Sequence, residues 1–406
     1  MPRPGFVLDV DRSTPPMLFW HGERFSLERL PADRSRVIYP AEPLPGLADP
    51  DAAIRRALVE PLDMEPLPEL LRPDMKLTIC FDDASLSLPK MRRPDSRQRI
   101  IEAVLEMAAE AGVDDVHIIA ALGLHRRMHE YELRHVLGDR IFDAFHPSGA
   151  LYQHDAEDHE NLTVLGETDH GEILEINRRV AESDLVVYAN VNQVAMDGGW
   201  KSLVTGVASY RCLSHHHNPE SLQNTRSLMD RHHSALHHSI WRMGAVLRDN
   251  GPKVFQVEST INNDAFPSPF DFLSKREWEW TGRDRATFLA TSKVLDRTPR
   301  RLARRVFHSI EAPYAMTSVQ AGFTETVHER TLEHVHAQHI VPVEGQTDIL
   351  TMGITFTVIT FVVGRIVIIF LSPLNFTSTI HIPNHFFSLH VKQITTIIRI
   401  FVDKYR

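Results

Sequence analysis

Three short, largely apolar runs constrain the fold of this chain more than any other feature: Lys76–Phe81, Val116–Leu122 and Asp184–Asn190, with a further strand at Val254–Ser259. A strand that alternates polar and apolar residues has one wet face, whereas an unbroken apolar run must be covered on both faces. Ser96–Ala111 supplies one such cover, because Ile100, Ile101, Val104, Leu105 and Ala108 fall on one side of a helix and Gly112 ends it. Strand, helix and strand in that order require a crossover, so the sheet is expected to be largely parallel. The fold class read from this pattern is α/β: two domains, mostly parallel sheets with flanking helices, the second domain incomplete.

The remaining segments fit around that sheet. Residues 1–53 are proline-rich and read as an irregular or short-stranded N-terminal arm, with a helical piece near Asp51–Leu58. Residues 54–266 form the first α/β domain. Within it, Leu162–Leu165 and Glu172–Ile176 alternate like a hairpin, His129–Leu137 reads as a helix closed by Gly138, and residues 225–250 read as another helix. Turn signals and two tryptophans in Pro267–Gly282 mark a boundary, and 267–350 reads as the start of a second α/β domain. It contains a basic helical stretch over 283–312, and its strand is expected at Thr347–Met352.

From residue 351 the composition changes abruptly. Only Asp403 is acidic there, against Arg365, Lys392, Arg399, Lys404 and Arg406, and Ile, Phe and Thr dominate. Ile354–Leu371 reaches the length of a membrane span, but Arg365 near its centre counts against that reading. Residues 351–406 are therefore read as an aberrant apolar tail, from a frameshift or a truncation artefact. For the rest, a net charge of −9 argues against a nucleic-acid partner. The two cysteines, Cys80 and Cys212, form no framework, and Asp9 and Asp11 interrupt the N-terminus where an export signal would be apolar. Both point to the cytoplasm.

Chemistry collects where strands end. Asp82-Asp83 follows the first apolar run, His125 follows the second just after Gly123-Leu124, and Gly198-Gly199-Trp200-Lys201-Ser202 follows the third. Ligands of open α/β sheets bind outside the carboxyl ends of the strands. The glycine loop with its lysine, followed by a helix from about Gly206, has the geometry of an anion site at a helix N-terminus, although it is neither a Walker loop nor a dinucleotide fingerprint. His215, His216 and His217 then offer imidazoles to a metal, as His232, His233, His237 and His238 do further on. A zinc site on that second cluster lacks a carboxylate or cysteine to complete its ligand set.

Taken together, these motifs resemble those of the nickel-dependent lactate racemase family, the LarA-like proteins. Asp82-Asp83 is similar to the start of that family's Asp-His-Thr-Arg-Pro stretch. Ala121-Leu122-Gly123-Leu124-His125-Arg126 is similar to its Thr-Gly-x-His-Arg stretch. Gly198–Ser202 with Gly206-Val207-Ala208-Ser209-Tyr210 is similar to its Gly-Gly-Arg-Lys-Ser-x-x-Pro-Gly-x-Ala-Ser-Tyr segment. The resemblance implies a 2-hydroxy acid racemase working by reversible hydride transfer. It further implies a nickel-pincer nucleotide, a thiolated pyridinium mononucleotide attached to Lys201, with His217 as the nickel ligand. His125 would be the acid/base, while Asp82, Gly198, Gly199 and Ser85 would line the cofactor site. Proteins that synthesise the cofactor would be partners.

The sequence also departs from the family pattern. Asn190–Asp197 holds no histidine where the family has its second catalytic one, and Ser85 stands where an arginine would grip a carboxylate. A cofactor-binding homologue impaired in catalysis is therefore one alternative, and a zinc-type hydrolase on the histidine clusters is another.

Overall fold

Proline and turn residues keep the start of the chain in short pieces. β1 (Phe6–Asp9) pairs antiparallel with β4 (Ser35–Tyr39), and β2 (Met17–His21) pairs with β3 (Arg24–Glu28). The structure is a computed structural model. It describes residues 2–21, 24–85, 89–225, 230–343, 349–352 and 366–369. These belong to one compact unit, Met1–Ile369.

Helix α1 (Pro50–Val59) starts where the sequence signals it: Asp49 accepts a hydrogen bond from the Ala52 amide and Pro50 opens the first turn. After the single-turn α2 (Leu67–Leu70) comes β5 (Lys76–Asp82), then β6 (Lys90–Met91) and α3 (Ser96–Glu110), capped by Asp95. β7 (Asp115–Ala121) and β8 (Leu151–Gln153) flank α4 (Glu130–Phe145). This helix runs past Gly138 instead of ending there. Gly138 adopts φ 81° and kinks the helix, and the side chain of Gln98 packs where a β-carbon would sit.

The expected hairpin forms from β9 (Leu162–Glu167) and β10 (Ile173–Asn177), and the single turn α5 (Arg178–Ala181) leads into β11 (Leu185–Asn192). The continuous helix expected from Gly206 does not form. Instead α6 (Lys201–Val204) and α7 (Tyr210–Ser214) are separate short helices, and Gly206 lies between them where a β-carbon would overlap the Ser202 carbonyl and Ala121 and crowd the Tyr188 hydroxyl. α8 (Pro219–Gln223) and α9 (Ala235–Asn250) follow; the latter begins ten residues later than its sequence pattern suggested, at the Ser234 cap. β12 (Lys253–Ile261), α10 (Gly282–Arg297), α11 (Arg300–Ser309) and β13 (Glu311–Ala312) precede a strand and a helix that the apolar pattern did not reveal, β14 (Met316–Gly322) and α12 (Thr324–His339). β15 (Ile349–Met352) pairs with β16 (Ile366–Ile369), and β16 pairs with β4. Apart from these strands, the tail from residue 353 lies outside the described residues. No helix among them is long and apolar enough to cross a membrane.

The main sheet has the order β14-β12-β11-β5-β7-β8. All neighbours are parallel except β14, which runs antiparallel to β12 at the edge. Alternate residues of each strand face two separate cores. Leu77, Ile79, Phe81, Val187 and Ala189 pack against α1, α3 and α4, while Cys80, Val186 and Tyr188 pack against α6, α7, α9 and the hairpin. From β5 the chain winds outward through β7 and β8 over one face, then returns to β11 on the other side of β5 and winds over the opposite face. The strand order therefore reverses between β5 and β11, which is where an α/β sheet opens a crevice for a ligand.

Candidate functional site

Two adjacent carboxylates end β5, and they do different things. Asp82 points into the protein and is buried. Its Oδ1 accepts from the Tyr188 hydroxyl at 3.1 Å, and its Oδ2 accepts from the Val191 amide at 2.7 Å and from Asn190 Nδ2. These bonds lock β11 beside β5 at the reversal point. Burial pushes the Asp82 carboxyl up to about 7, against the pull of its donors and of the Arg97 charge. Arg97 itself is buried, chelated by Asp95, and donates to the Asp82 and Asp83 carbonyls at 2.9 and 2.5 Å.

Asp83 turns the other way. Its Oδ2 receives His125 Nδ1 at 2.8 Å, and its Oδ1 accepts from the Ser85 amide at 3.1 Å and from the Ser85 hydroxyl. Although β5 and β7 are neighbours in register, with Asp82 opposite Ala121, the carboxylate that reaches His125 is thus Asp83, not Asp82. Burial opposes ionisation of Asp83, but the bonds from His125 and Ser85 outweigh it and hold the carboxyl below its ordinary value. The same bond raises His125 above the ordinary imidazole value, against desolvation and the nearby Lys201 charge. The His125 ring is exposed to solvent on its other side.

β11 delivers the glycine loop. Asp197 is buried and accepts from the Gln193 and Val194 amides, both at 3.1 Å, and Asn192 Nδ2 donates to its carbonyl at 2.9 Å. Gly198 and Gly199 have φ of 86° and 61°. A β-carbon on Gly198 would overlap Asn192 and Glu258, and one on Gly199 would crowd the His328 ring. The side of the loop that glycine leaves open is therefore filled by the protein's own buried groups. Glu258, fully buried on β12, receives the Gly199 amide at 2.6 Å, Gln256 at 3.2 Å and Asn192 and His328 at 3.3 Å each. Trp200 is buried and packs over Gly244 of α9, and Lys201 begins α6 with Nζ 3.7 Å from Asp197 Oδ1.

After α7, capped by Ser209, three histidines diverge. His215 Nε2 accepts the Ile173 amide at 3.1 Å and so holds the hairpin. His216 is buried, pushed down to about 3, with its Nδ1 unpartnered among the described residues. His217 is open to solvent, yet the surrounding protein thins the water about it. That desolvation, with the charges of Lys201 and His125, lowers it to about 4. His217 thus senses Lys201 and His125, and His125 senses Lys201, across the carboxyl ends of β5, β7 and β11, and His217 is a neutral imidazole near pH 7.

The second histidine cluster does not converge. His233 is tied to Asp230 outside α9, while His237 is buried within it. No three histidine, cysteine or carboxylate side chains gather around a metal position among the described residues. A cavity of about 580 Å³ lies against α12, lined by Ala195, His232, Glu329 and His336 among others, and contains neither Lys201, His125 nor His217.

Residues 21–230, just over half of the chain, match the family described as lactate racemase N-terminal domain. The chain belongs to this family. Lactate racemase of Thermoanaerobacterium thermosaccharolyticum is 26% identical over 175 residues, covering 42% of this chain and 39% of that protein. Lactate racemase of Lactiplantibacillus plantarum is 24% identical over 217 residues, covering 52% and 48%. The chain thus spans less than half the length of these curated relatives. The lactate racemase apoprotein structure from the first organism superposes with a TM-score of 0.51 at 18% identity, over 80% of this chain and 62% of that one, which shows the shared fold.

Three contributors to the site carried little sequence signal. Glu258 is a carboxylate inside an otherwise buried strand, which is itself a marker. His328 lies on α12, a helix not anticipated. Asp83 stands beside the expected Asp82, and only the direction in which its side chain turns at the end of β5 brings it to His125.

Proposed function

We propose that this chain is a 2-hydroxy acid racemase or epimerase, lactate racemase-like, that holds a nickel-pincer nucleotide on Lys201. The observation that supports it best is that Lys201, His125 and His217 lie near enough outside the sheet reversal for charge on one to shift the imidazoles, in a member of the lactate racemase N-terminal domain family. The donor set fits such a group. A single open imidazole, neutral near pH 7, suits a metal whose other donors come with the cofactor, because a coordinating histidine must be unprotonated. Lys201, 24% exposed with its Nζ 3.7 Å from Asp197 Oδ1, presents an amine for covalent attachment. When bound, the group would supply the centre that exchanges hydride with the substrate's α-carbon.

The chain's own residues would do the rest. His125 would take the hydroxyl proton of the 2-hydroxy acid and return it, a task suited to an imidazole near neutral pH. Asp82 and the glycine loop would keep β5 and β11 in register beneath the cofactor, and Ser85 would face the substrate side. Nothing in Asn190–Asp197 duplicates His125, so proton transfer would rest on one base. The protein would work in the cytoplasm beside the proteins that make the cofactor, and Cys80 and Cys212 are both buried free thiols, in keeping with a reducing compartment.

Ser85 in place of an arginine and the lack of a histidine in Asn190–Asp197 favour one second reading, a homologue that binds the cofactor without turning over. One experiment addresses both. The chain is produced beside the cofactor-synthesis proteins, the peptide carrying Lys201 is weighed, nickel is measured, and racemisation is followed on a panel of 2-hydroxy acids. An unmodified Lys201 with no nickel refutes the proposal. A loaded Lys201 with no turnover selects the binding-only reading.

A further inference from the structure

We propose that Asp83 is a positioning residue that aims His125, holding the imidazole with Nδ1–H turned into the protein and Nε2 turned out toward Lys201 and His217. The proposal rests on the reading of His125 as the base. It arises at a position where the sequence departs from the family stretch, which places histidine, not aspartate, second in its Asp-His-Thr-Arg-Pro.

The geometry is that of an oriented base. Asp83 Oδ2 lies 2.8 Å from His125 Nδ1, while its other oxygen is fixed by the Ser85 amide and hydroxyl, so the carboxylate cannot rotate away. Ser85 Oγ also lies 3.1 Å from His125 Nδ1. The peptide that carries Asp83 is anchored from behind by Arg97, which donates to its carbonyl at 2.5 Å. Asp83 is 6% exposed and His125 is 54% exposed, so the carboxylate is the buried fixed point and the ring is the part open to solvent. A carboxylate on Nδ1 selects the tautomer whose Nε2 lone pair is free, and it stabilises the imidazolium formed once a proton has been taken. His125 Nε2 has no hydrogen bond within the described residues. The charged and titratable groups facing the ring are Asp83 and Asp82 from β5, Lys201 from α6 and His217 after α7. Of these groups the two aspartates favour its protonated form, and Asp83 is the one that touches it.

Ring titration tests this without any cofactor. In the chain as isolated, the His125 resonances are assigned by their loss in His125→Gln, and the ring pKa and tautomer are followed by 13C and 15N NMR in wild type and Asp83→Asn. The expected result is a fall of about one unit or more in the His125 pKa and loss of the Nδ1–H preference. An unchanged pKa and tautomer overturn the proposal. Should Asp83→Asn fail to fold, Asp83→Ser serves for the same measurement. In the loaded protein, Asp83→Asn is expected to lower kcat about 100-fold, with KM little changed and the acid limb of the pH profile moved to lower pH. A moved titration with an unmoved profile removes Asp83 from the reaction. A moved titration in a loaded wild type that racemises nothing refutes the functional reading instead, while the Asp83–His125 coupling stands.

Discussion

Asp82→Asn is expected to make the protein more stable, and increasingly so as the pH rises. The Asp82 carboxyl is held at about 7 in the fold by burial, against an ordinary value of 3.8. An unfolded chain releases this proton above about pH 4, whereas the native chain keeps it to about pH 7. Across that window the native state binds the extra proton, so wild-type stability falls as pH rises. The stability is fully present below about pH 4 and its loss is complete above about pH 7. At about 1.4 kcal/mol per pH unit, the three-unit difference amounts to about 4 kcal/mol, an upper bound for a group with three hydrogen-bond donors. Asparagine can keep all three bonds. Its oxygen replaces Oδ2 as acceptor for Val191 and Asn190, and its amide donates to Tyr188, whose hydroxyl turns to accept. Urea unfolding of both proteins from pH 4.5 to 8.5 measures the gap directly. It should widen with pH and level off above about 7. A gap that is flat with pH, or a wild type that gains on the variant as pH rises, refutes the assignment of Asp82 as a carboxyl held neutral by burial.

Gly198→Ala should cost more than about 2 kcal/mol, because a positive φ and an overlap with Asn192 and Glu258 add together. Gly149→Ala, at φ 77° with no atom near its would-be β-carbon, isolates the backbone part at about 1 kcal/mol. Equal losses in thermal unfolding would show that crowding is not what requires glycine at 198. Trp200→Ala should cost about 3–5 kcal/mol in chemical denaturation, since it empties the space over Gly244. Glu258→Gln strands donors that share one carboxylate, at a cost of about 1–3 kcal/mol. The Gly199 amide should then exchange with deuterium sooner, and unchanged protection would mean that Glu258 does not hold the loop.

Much of this architecture was legible in the residues. β5, β7 and β11 announce themselves because strands buried on both faces have little polar alternation to blur them, and α3 because one face is apolar and Asp95 and Gly112 bracket it. β14 was invisible for the opposite reason. Its edge position lets Thr317, Ser318 and Gln320 interrupt the apolar pattern, and α12, rich in histidine, shows little amphipathic contrast. At the site, local sequence placed His125 and the loop of Lys201 just past strand ends but could not say which aspartate would meet the imidazole. That depends on register between β5 and β7 and on which way a side chain turns after the last ladder bond. Gly198 and Gly199 show the same limit. Their conformational freedom was readable, whereas the groups that occupy the space, Glu258 and His328, arrive from distant segments.

That last arrangement sets an order of events during synthesis. Lys201 leaves the ribosome long before Thr324–His339 is made, yet the loop in front of it leans on Glu258, and Glu258 on His328. Until the edge strand and its helix have been translated and have docked, the lysine stands on an unbraced turn. A nascent chain halted after β12 would expose the amine without the brace that sets its aim, so any chemistry that needs Lys201 held in place waits for the last third of the chain.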